Sequence, residues 1–235
     1  MTPADSFRCP RQAGLITGLL PPAVAASEST GSPPAGAPGL FPAEEAALYT
    51  AGPRRRAEFA AGRSCARTAL ATLGVPAGPI PPGPAGQPQW PAGVTGSITH
   101  CTGYQACAVA RTTDVAAIGI DAEPDAALPA GLIGKVATGQ ERAWISRHAA
   151  APPGSAPPGV CWDRLLFSAK EAACKLWYPL SGRWLGFHDV TIGLAATGTF
   201  TVGLGPAAGG RPVTRMTGRW LAADGLIVTA IVWAP

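Results

Sequence analysis

Three carboxylates carry the strongest chemical signal in this sequence. Asp121 and Glu123 stand two apart in the strand-like run "IGIDAEP", and Glu171 follows in "LLFSAKEAACKLWYP". Side chains alternate along an extended strand, so Asp121 and Glu123 project the same way about 7 Å apart, while Ile118 and Ile120 point oppositely into a core. Two carboxylates at the end of a strand can converge on one hard cation. Mg²⁺ suits such a set, because it takes a few carboxylate oxygens and fills its shell with water and phosphate oxygens. Alone, "DAE" also reads as a solvated strand end. Glu171, as a third acid with basic neighbours, turns the reading toward a metal-bound diphosphate.

The segment that carries Glu171 must be a helix. Leu165, Ala169, Ala172 and Leu176 form one apolar stripe at helical spacing, and Leu166, Ala173 and Trp177 form a second. Lys170 falls inside the second stripe. Two explanations stand open for it: a stem packed on Trp177 with its head in water, or a charge received by a bound phosphate. Glu171 and Lys175 share the remaining flank, where an ordinary i, i+4 pair would contribute roughly 0.2–0.5 kcal/mol.

Bulk properties narrow the classes. Of 235 residues, 47% are apolar and 14% charged, a globular composition long enough for a sizeable core. The formal charge of +4 is mild. The basic residues Arg54, Arg55, Arg56, Arg63 and Arg67 cluster, and no further Lys or Arg follows until Arg111. Without a larger basic excess and interleaved aromatics, a nucleic-acid binder is disfavoured, leaving an anionic small molecule or a solvated helix face. The six cysteines show no CxxC or His-paired spacing. The N-terminal stretch has an Asp and prolines where a secretory segment would be apolar. A cytoplasmic protein with reduced thiols is expected. No run approaches the roughly 18 apolar residues that cross a bilayer, so no membrane partner is expected.

The remaining elements follow from periodicity and punctuation. Residues 23–39, 74–93 and 149–159 are Pro/Gly/Ala-rich and read as loops. Two helices are expected between Pro42 and Gly74, and two strands in "VTGSITHCTGYQACAVAR" around a Thr-Gly turn. "VAAIGIDAEP" reads as a strand ended by Pro124. "GQERAWISRHA" and residues 163–178 read as helices, followed by strands at about 188–194 and 199–204, then a hairpin across Asp224-Gly225. Helices followed by antiparallel strands, twice over, predict an α+β fold of two similar halves, here divided as 1–112 and 113–235.

With those elements in order, several motifs together resemble one family. "IGIDAEP", "FSAKEAACKLWYPL" and "WLGFHDV", preceded by "RRRAEFAAGRSCARTAL" and "GQPQWPAGVTGSITHCTGY", closely resemble the 4′-phosphopantetheinyl transferases of the siderophore-synthetase type. The resemblance covers most of the chain from about residue 40 onward. It implies two pseudo-symmetric halves with coenzyme A in the cleft between them, and transfer of its phosphopantetheine arm to a serine of an apo acyl or peptidyl carrier protein, releasing 3′,5′-ADP. By the same resemblance Asp121, Glu123 and Glu171 hold Mg²⁺ (or Mn²⁺) on the diphosphate. Glu171 is the general base, directly or through a metal-bound water, and Lys170 joins it as a catalytic candidate. Lys170 and Lys175 contact phosphates, Arg55 and Arg63 the 3′-phosphate, and Ser97 and His100 the nucleotide end. Ser97 and Thr99 also read as plain strand residues.

The family's basic residue in the loop before "WP" is missing, with Pro82 and Ala85 about where it would stand. The carrier surface is expected near Glu141–Arg147 and the loop up to Val160, and a monomer is expected. Three competing functions are weighed: a non-catalytic coenzyme A- or carrier-binding module, a Mg²⁺-dependent phosphohydrolase, and a nucleic-acid binder. The first could dispense with the acids, and all three are present.

Overall fold

The computed structural model describes residues 14–31, 39–149, 159–205 and 216–234. It is an α+β fold with two antiparallel sheets. In the first half a short helix α1 (Pro42–Ala46) precedes α2 (Pro53–Thr72), which lies on a sheet of order β1-β3-β2. Its strands are β1 (Ala25–Thr30), β2 (Val94–Cys101) and β3 (Tyr104–Arg111). In the second half β4 (Ala117–Pro124) leads to α3 (Ile133–Val136), α4 (Gly139–Ala149) and α5 (Trp162–Ser181). Four more strands follow: β5 (Val190–Ala195), β6 (Thr199–Leu204), β7 (Met216–Ala223) and β8 (Leu226–Trp233), in the order β4-β8-β7-β6-β5. Each half thus lays one 20-residue helix on its sheet.

The expected helices and hairpins form, with Asp224 and Gly225 both at positive φ in the β7–β8 turn. The loop reading of residues 23–39 needs correction, because β1 pairs along its whole length with β3. "AASEST" has little strand propensity of its own. Tertiary bonds supply the order: the Glu28 carboxylate accepts from the backbone of Ile16 and Thr17, from the Thr17 hydroxyl, and from Tyr104 at 2.6 Å. Residues 32–38 and 150–158 of the expected loops lie outside the described residues.

Strand alternation places the core. Tyr104, Ala106, Ala108 and Ala110 of β3 face Ile118 and Ile120 of β4 and Val228 and Ala230 of β8, so one apolar cluster is shared by both halves. The opposite face of β3 packs Cys107 and Val109 on Cys65, Ala66, Ala69 and Leu70 of α2. Both apolar stripes of α5 are buried, with every member named above at 6% exposure or less. α5 lies close on β4 because Gly119 has no side chain: a Cβ there would overlap the Ala172 carbonyl. This close approach brings Asp121, two residues on, to the polar flank of the helix.

The sheets meet where β2 runs beside β4. Ile120 donates its N–H to Ser97 Oγ at 3.2 Å, and Ala122 donates to Thr99 Oγ1 at 3.0 Å. Alternate amides of β4 are used in the ladder with β8, so the other edge needs acceptors, and hydroxyls of β2 provide them. The seam is a row of side-chain bonds.

Candidate active site

The acidic residues gather at the C-terminal end of β4, beside this seam. Asp121 is 4% exposed. Its Oδ1 takes a 2.7 Å ion pair from Lys175 and a 3.1 Å hydrogen bond from the Thr99 hydroxyl. Its Oδ2 is buried and has no hydrogen-bond partner among the described residues. Lys175 also donates to the Ile120 carbonyl at 3.3 Å. The lysine therefore turns to Asp121, and the i, i+4 pair with Glu171 is absent among the described ion pairs.

Glu123 is half-buried and paired with Arg164 at 2.9 Å. Burial raises its pKa above the ordinary carboxylate range and the Asp121 charge raises it further, against the opposing pull of Arg164. Glu171, on α5, is also half-buried. Burial raises its pKa most, Lys175 opposes this, and the Asp121 charge adds to the rise. Glu123 and Glu171 thus each feel the charge of Asp121.

Does the set fit a divalent cation? Among the described residues no three His, Cys, Asp or Glu side chains converge closely enough, as they stand, to enclose a metal. Arg164 draws Glu123 aside and Lys175 holds one oxygen of Asp121. The donor chemistry nonetheless fits. An orphaned carboxylate oxygen in a buried position is costly, and a hard cation would offset the Asp121 charge that both Glu123 and Glu171 feel. Asp121, Glu123 and Glu171 are the residues that would hold it.

A basic rim faces this group. Arg55, exposed on α2, brings Nη1 to 3.3 Å from His100 Nε2, and Glu58 lies 3.4 Å from the same nitrogen. Partial burial pulls the His100 pKa below the ordinary histidine range, although Glu58 opposes it. Beside this rim, an open-sided cavity of about 200 Å³ is lined by Trp90, Ser97, Lys175, Tyr178 and Trp184, with Ala85 and Gln87 of the loop before "WP". The cavity is lined from both halves, by β2 on one side and α5 on the other, with Lys175 as its charged lining residue.

The other arginines of the cluster are tied into the fold. Arg56 donates to the Leu48 carbonyl, and Arg67 forms a buried ion pair with Glu44 at 3.1 Å. Arg63 is 5% exposed. Its Nε donates to the Ile80 carbonyl at 2.6 Å and its guanidinium lies 3.9 Å over the Phe59 ring. Burial pulls its pKa down to about 10. Its two Nη groups make no hydrogen bond among the described residues and are not among the fully buried unpaired atoms, which leaves the fork able to take an anion.

Two expected residues stand elsewhere. Lys170 is fully buried and its ammonium is spent: it donates to Glu141 at 2.8 Å, to the Val136 carbonyl at 2.9 Å and to the Phe187 carbonyl at 2.7 Å. Burial lowers its pKa, and Glu141 opposes this. This corrects both the phosphate contact expected for Lys170 and the alternative of a head in water. Glu141 correspondingly leaves the expected carrier surface. It is 6% exposed and also accepts the Thr138 and Ile192 amides, while Arg142 and Arg147 remain exposed. Ser97 borders the cavity, but its oxygen is engaged by the Ile120 amide in the seam.

The reading of the sequence missed Arg164 and Glu141. Arg164 clamps Glu123 and the carbonyls of Ala126 and Ala127. No local pattern announces that. Glu141 had a signal: "TGQE" is a capping box, with the Thr138 hydroxyl accepting the Glu141 amide and the Glu141 carboxylate accepting the Thr138 amide.

Comparison with known proteins agrees with this geometry. Residues 43–110 match the 4′-phosphopantetheinyl transferase N-terminal domain, and residues 117–226 match the 4′-phosphopantetheinyl transferase superfamily. The chain is 47% identical to 4′-phosphopantetheinyl transferase Svp of Streptomyces mobaraensis over 94% of its length and 89% of the relative's. It is 43% identical to 4′-phosphopantetheinyl transferase PptT of Mycobacterium tuberculosis, over 83% of this chain and 87% of the other. It is 45% identical to 4′-phosphopantetheinyl transferase Npt of Nocardia iowensis, over 82% of this chain and 89% of the other.

Proposed function

The chain belongs to the 4′-phosphopantetheinyl transferase superfamily, and on that premise we propose that the β2–β4 cleft is where it binds coenzyme A and performs the transfer. The reaction moves the phosphopantetheine arm from coenzyme A to a serine of an apo carrier protein. The serine oxygen forms a bond to the phosphorus that bears the pantetheine arm. The bond from that phosphorus to the bridging oxygen breaks, and 3′,5′-ADP leaves with the electron pair. The single observation that carries the site assignment is the buried, partnerless Oδ2 of Asp121 with the raised Glu123 and Glu171 beside it.

Glu171 accepts the serine proton. Burial raises its pKa in the metal-free protein, and its carboxylate is a proton acceptor on the polar flank of α5. It is also the one acid of the three with no ion-pair partner among the described residues. When bound, Mg²⁺ (or Mn²⁺) supplies positive charge to the diphosphate oxygens as charge develops in the transition state. Lys175, which lines the cavity and pairs with Asp121, would be the ammonium nearest a bound phosphate if Asp121 held a cation. Arg63 presents its two Nη groups, and Arg55 with His100 presents a rim of donors, to the terminal 3′-phosphate. Deep burial of Arg63 favours a dianionic partner. No lysine or arginine comes from the loop before "WP", so the nucleotide end relies on α2 and β2.

Carrier docking falls to the exposed side of α4, where Arg142 and Arg147 stand without an exposed acid. A role in secondary metabolism or siderophore synthesis, action as a cytoplasmic monomer, and no nucleic-acid partner complete the reading. No helix among the described residues is long and apolar enough to cross a membrane.

Intact-mass spectrometry of an apo carrier protein incubated with the enzyme, coenzyme A and Mg²⁺ tests the proposal. The expected result is a gain of one phosphopantetheine that EDTA abolishes. No gain on peptidyl, polyketide or fatty-acid carriers, from folded enzyme that still binds coenzyme A, would overturn it in favour of a binding module.

A further inference from the structure

Thr99 sits where the two halves meet beside the acidic group. It is 1% exposed, on β2 of the first half, and its hydroxyl makes three bonds into the second half, the one to Lys175 the longest. The oxygen accepts the Ala122 amide at 3.0 Å and donates its only proton to Asp121 Oδ1 at 3.1 Å. The direction of that proton is fixed by its surroundings. Its other neighbours, the Ala122 N–H and the Lys175 ammonium at 3.5 Å, are donors, so Asp121 is the acceptor.

Carboxylate rotation about χ2 is broad and roughly two-fold in an unconstrained aspartate. Here Oδ1 is held from two directions, by Thr99 and by Lys175 at 2.7 Å. The consequence is the geometry of the other oxygen: Oδ2 is left buried and without a partner among the described residues. Lys175 alone would not fix it, since a flexible ammonium can follow a rotating carboxylate. The threonine hydroxyl cannot, because the Ala122 amide anchors it to the same strand that carries Asp121.

We infer that Thr99 is a positioning residue: its hydroxyl sets the rotamer of Asp121 so that Oδ2 is presented to the cation, and does so across the seam between the halves. The inference rests on the reading of Asp121 as a metal ligand. It adds that metal affinity depends on β2 staying registered beside β4, with His100, the next residue of β2, placed on the nucleotide side of the same register.

The test compares Thr99→Val, Thr99→Ser and Asp121→Asn in the full chain. Mn²⁺ binding is read by the electron paramagnetic resonance signal of the free ion, with coenzyme A present, alongside the melting temperature and the Mg²⁺ concentration for half-maximal transfer. Removing an outer-shell partner of a metal ligand typically weakens affinity about 10- to 100-fold. Thr99→Val is expected to weaken Mn²⁺ by about tenfold at the low end of that range. The half-maximal Mg²⁺ concentration should rise in step, with the KM for coenzyme A at saturating metal unchanged. Thr99→Ser, which keeps the hydroxyl, should restore wild-type affinity.

A residue that only packs would lower the melting temperature of the valine variant and leave the Mn²⁺ affinity of folded protein alone; that result overturns the inference. If Asp121→Asn weakens Mn²⁺ while folded Thr99→Val does not, the role of Thr99 fails and the metal reading stands. If Asp121→Asn binds Mn²⁺ normally, the metal reading itself fails and the inference falls with it. Should valine prevent folding, Thr99→Ala poses the same question without a methyl in place of the hydroxyl.

Discussion

Replacing Lys170 by methionine separates two accounts of a residue that stands beside Glu171, the proposed base, in sequence. If Lys170 met a phosphate, Lys170→Met would raise the KM for coenzyme A and leave the fold untouched. The structure makes the opposite demand. Lys170 is fully buried and pairs at 2.8 Å with Glu141, itself 6% exposed. Its loss leaves Glu141 charged with two backbone amides as partners, and deprives the Val136 and Phe187 carbonyls of a donor. Removing one partner of a buried pair costs about 3–5 kcal/mol. For a domain of this size each kcal/mol shifts Tm by about 2–4 °C, so a fall of roughly 6–20 °C is expected. Thermal and urea melts of Lys170→Met, Glu141→Gln and the double variant measure it. The double variant should recover part of the loss, because the stranded charge is gone. KM for coenzyme A, measured well below the melting range, should stay within about twofold of wild type, a difference of under 0.5 kcal/mol. An unchanged Tm with a KM raised tenfold would refute the reasoning and return Lys170 to the phosphate.

Three further outcomes follow from the same geometry. Arg63→Ala should raise the KM for coenzyme A far more than that for dephospho-coenzyme A, since only the former carries the 3′-phosphate; equal losses with both would remove the assignment. Gly119→Ala should unfold or severely destabilise the protein, because the added Cβ meets the Ala172 carbonyl of the helix backbone rather than a side chain that can move; a normal Tm would contradict the packing of α5 on β4. Stabilisation by Mg²⁺ with coenzyme A should be larger at about pH 7.5 than at about pH 5.5. Glu123 and Glu171 have folded pKa values raised above 4.5. Their contribution to the stability of the metal-free protein is therefore present below that value and lost as pH rises through the folded values. The cation replaces the missing protons in the upper range; equal Tm shifts at both pH values would count against a carboxylate-held metal.

How much of this was legible in the sequence depends on the range of the interaction. The α5 stripes and the alternation of β4 are local, and each of their apolar members is buried as spacing requires. The Asp-Gly hairpin likewise announces itself by residue type. β1 was hidden because "AASEST" is ordered by Glu28 bonding to residues far along the chain. Lys170 was misread for a related reason. A wheel places it in the stripe correctly but cannot say that a carboxylate 29 residues upstream waits there. The acids were found by type and order, whereas the constraint that aims Asp121 comes from a threonine on another sheet. The arginine cluster was visible, and its division into exposed Arg55 beside His100 and Arg56, Arg63 and Arg67, each bonded within the fold, was not.

The central claim, that Glu171 takes the serine proton at the acidic group of the cleft, is tested most directly by Glu171→Gln. Transfer to an apo carrier is followed by intact mass, with coenzyme A binding and Tm measured on the same preparation. The account predicts a folded variant that binds coenzyme A and leaves the carrier unmodified. Full modification of the carrier by that variant at the wild-type rate would contradict it.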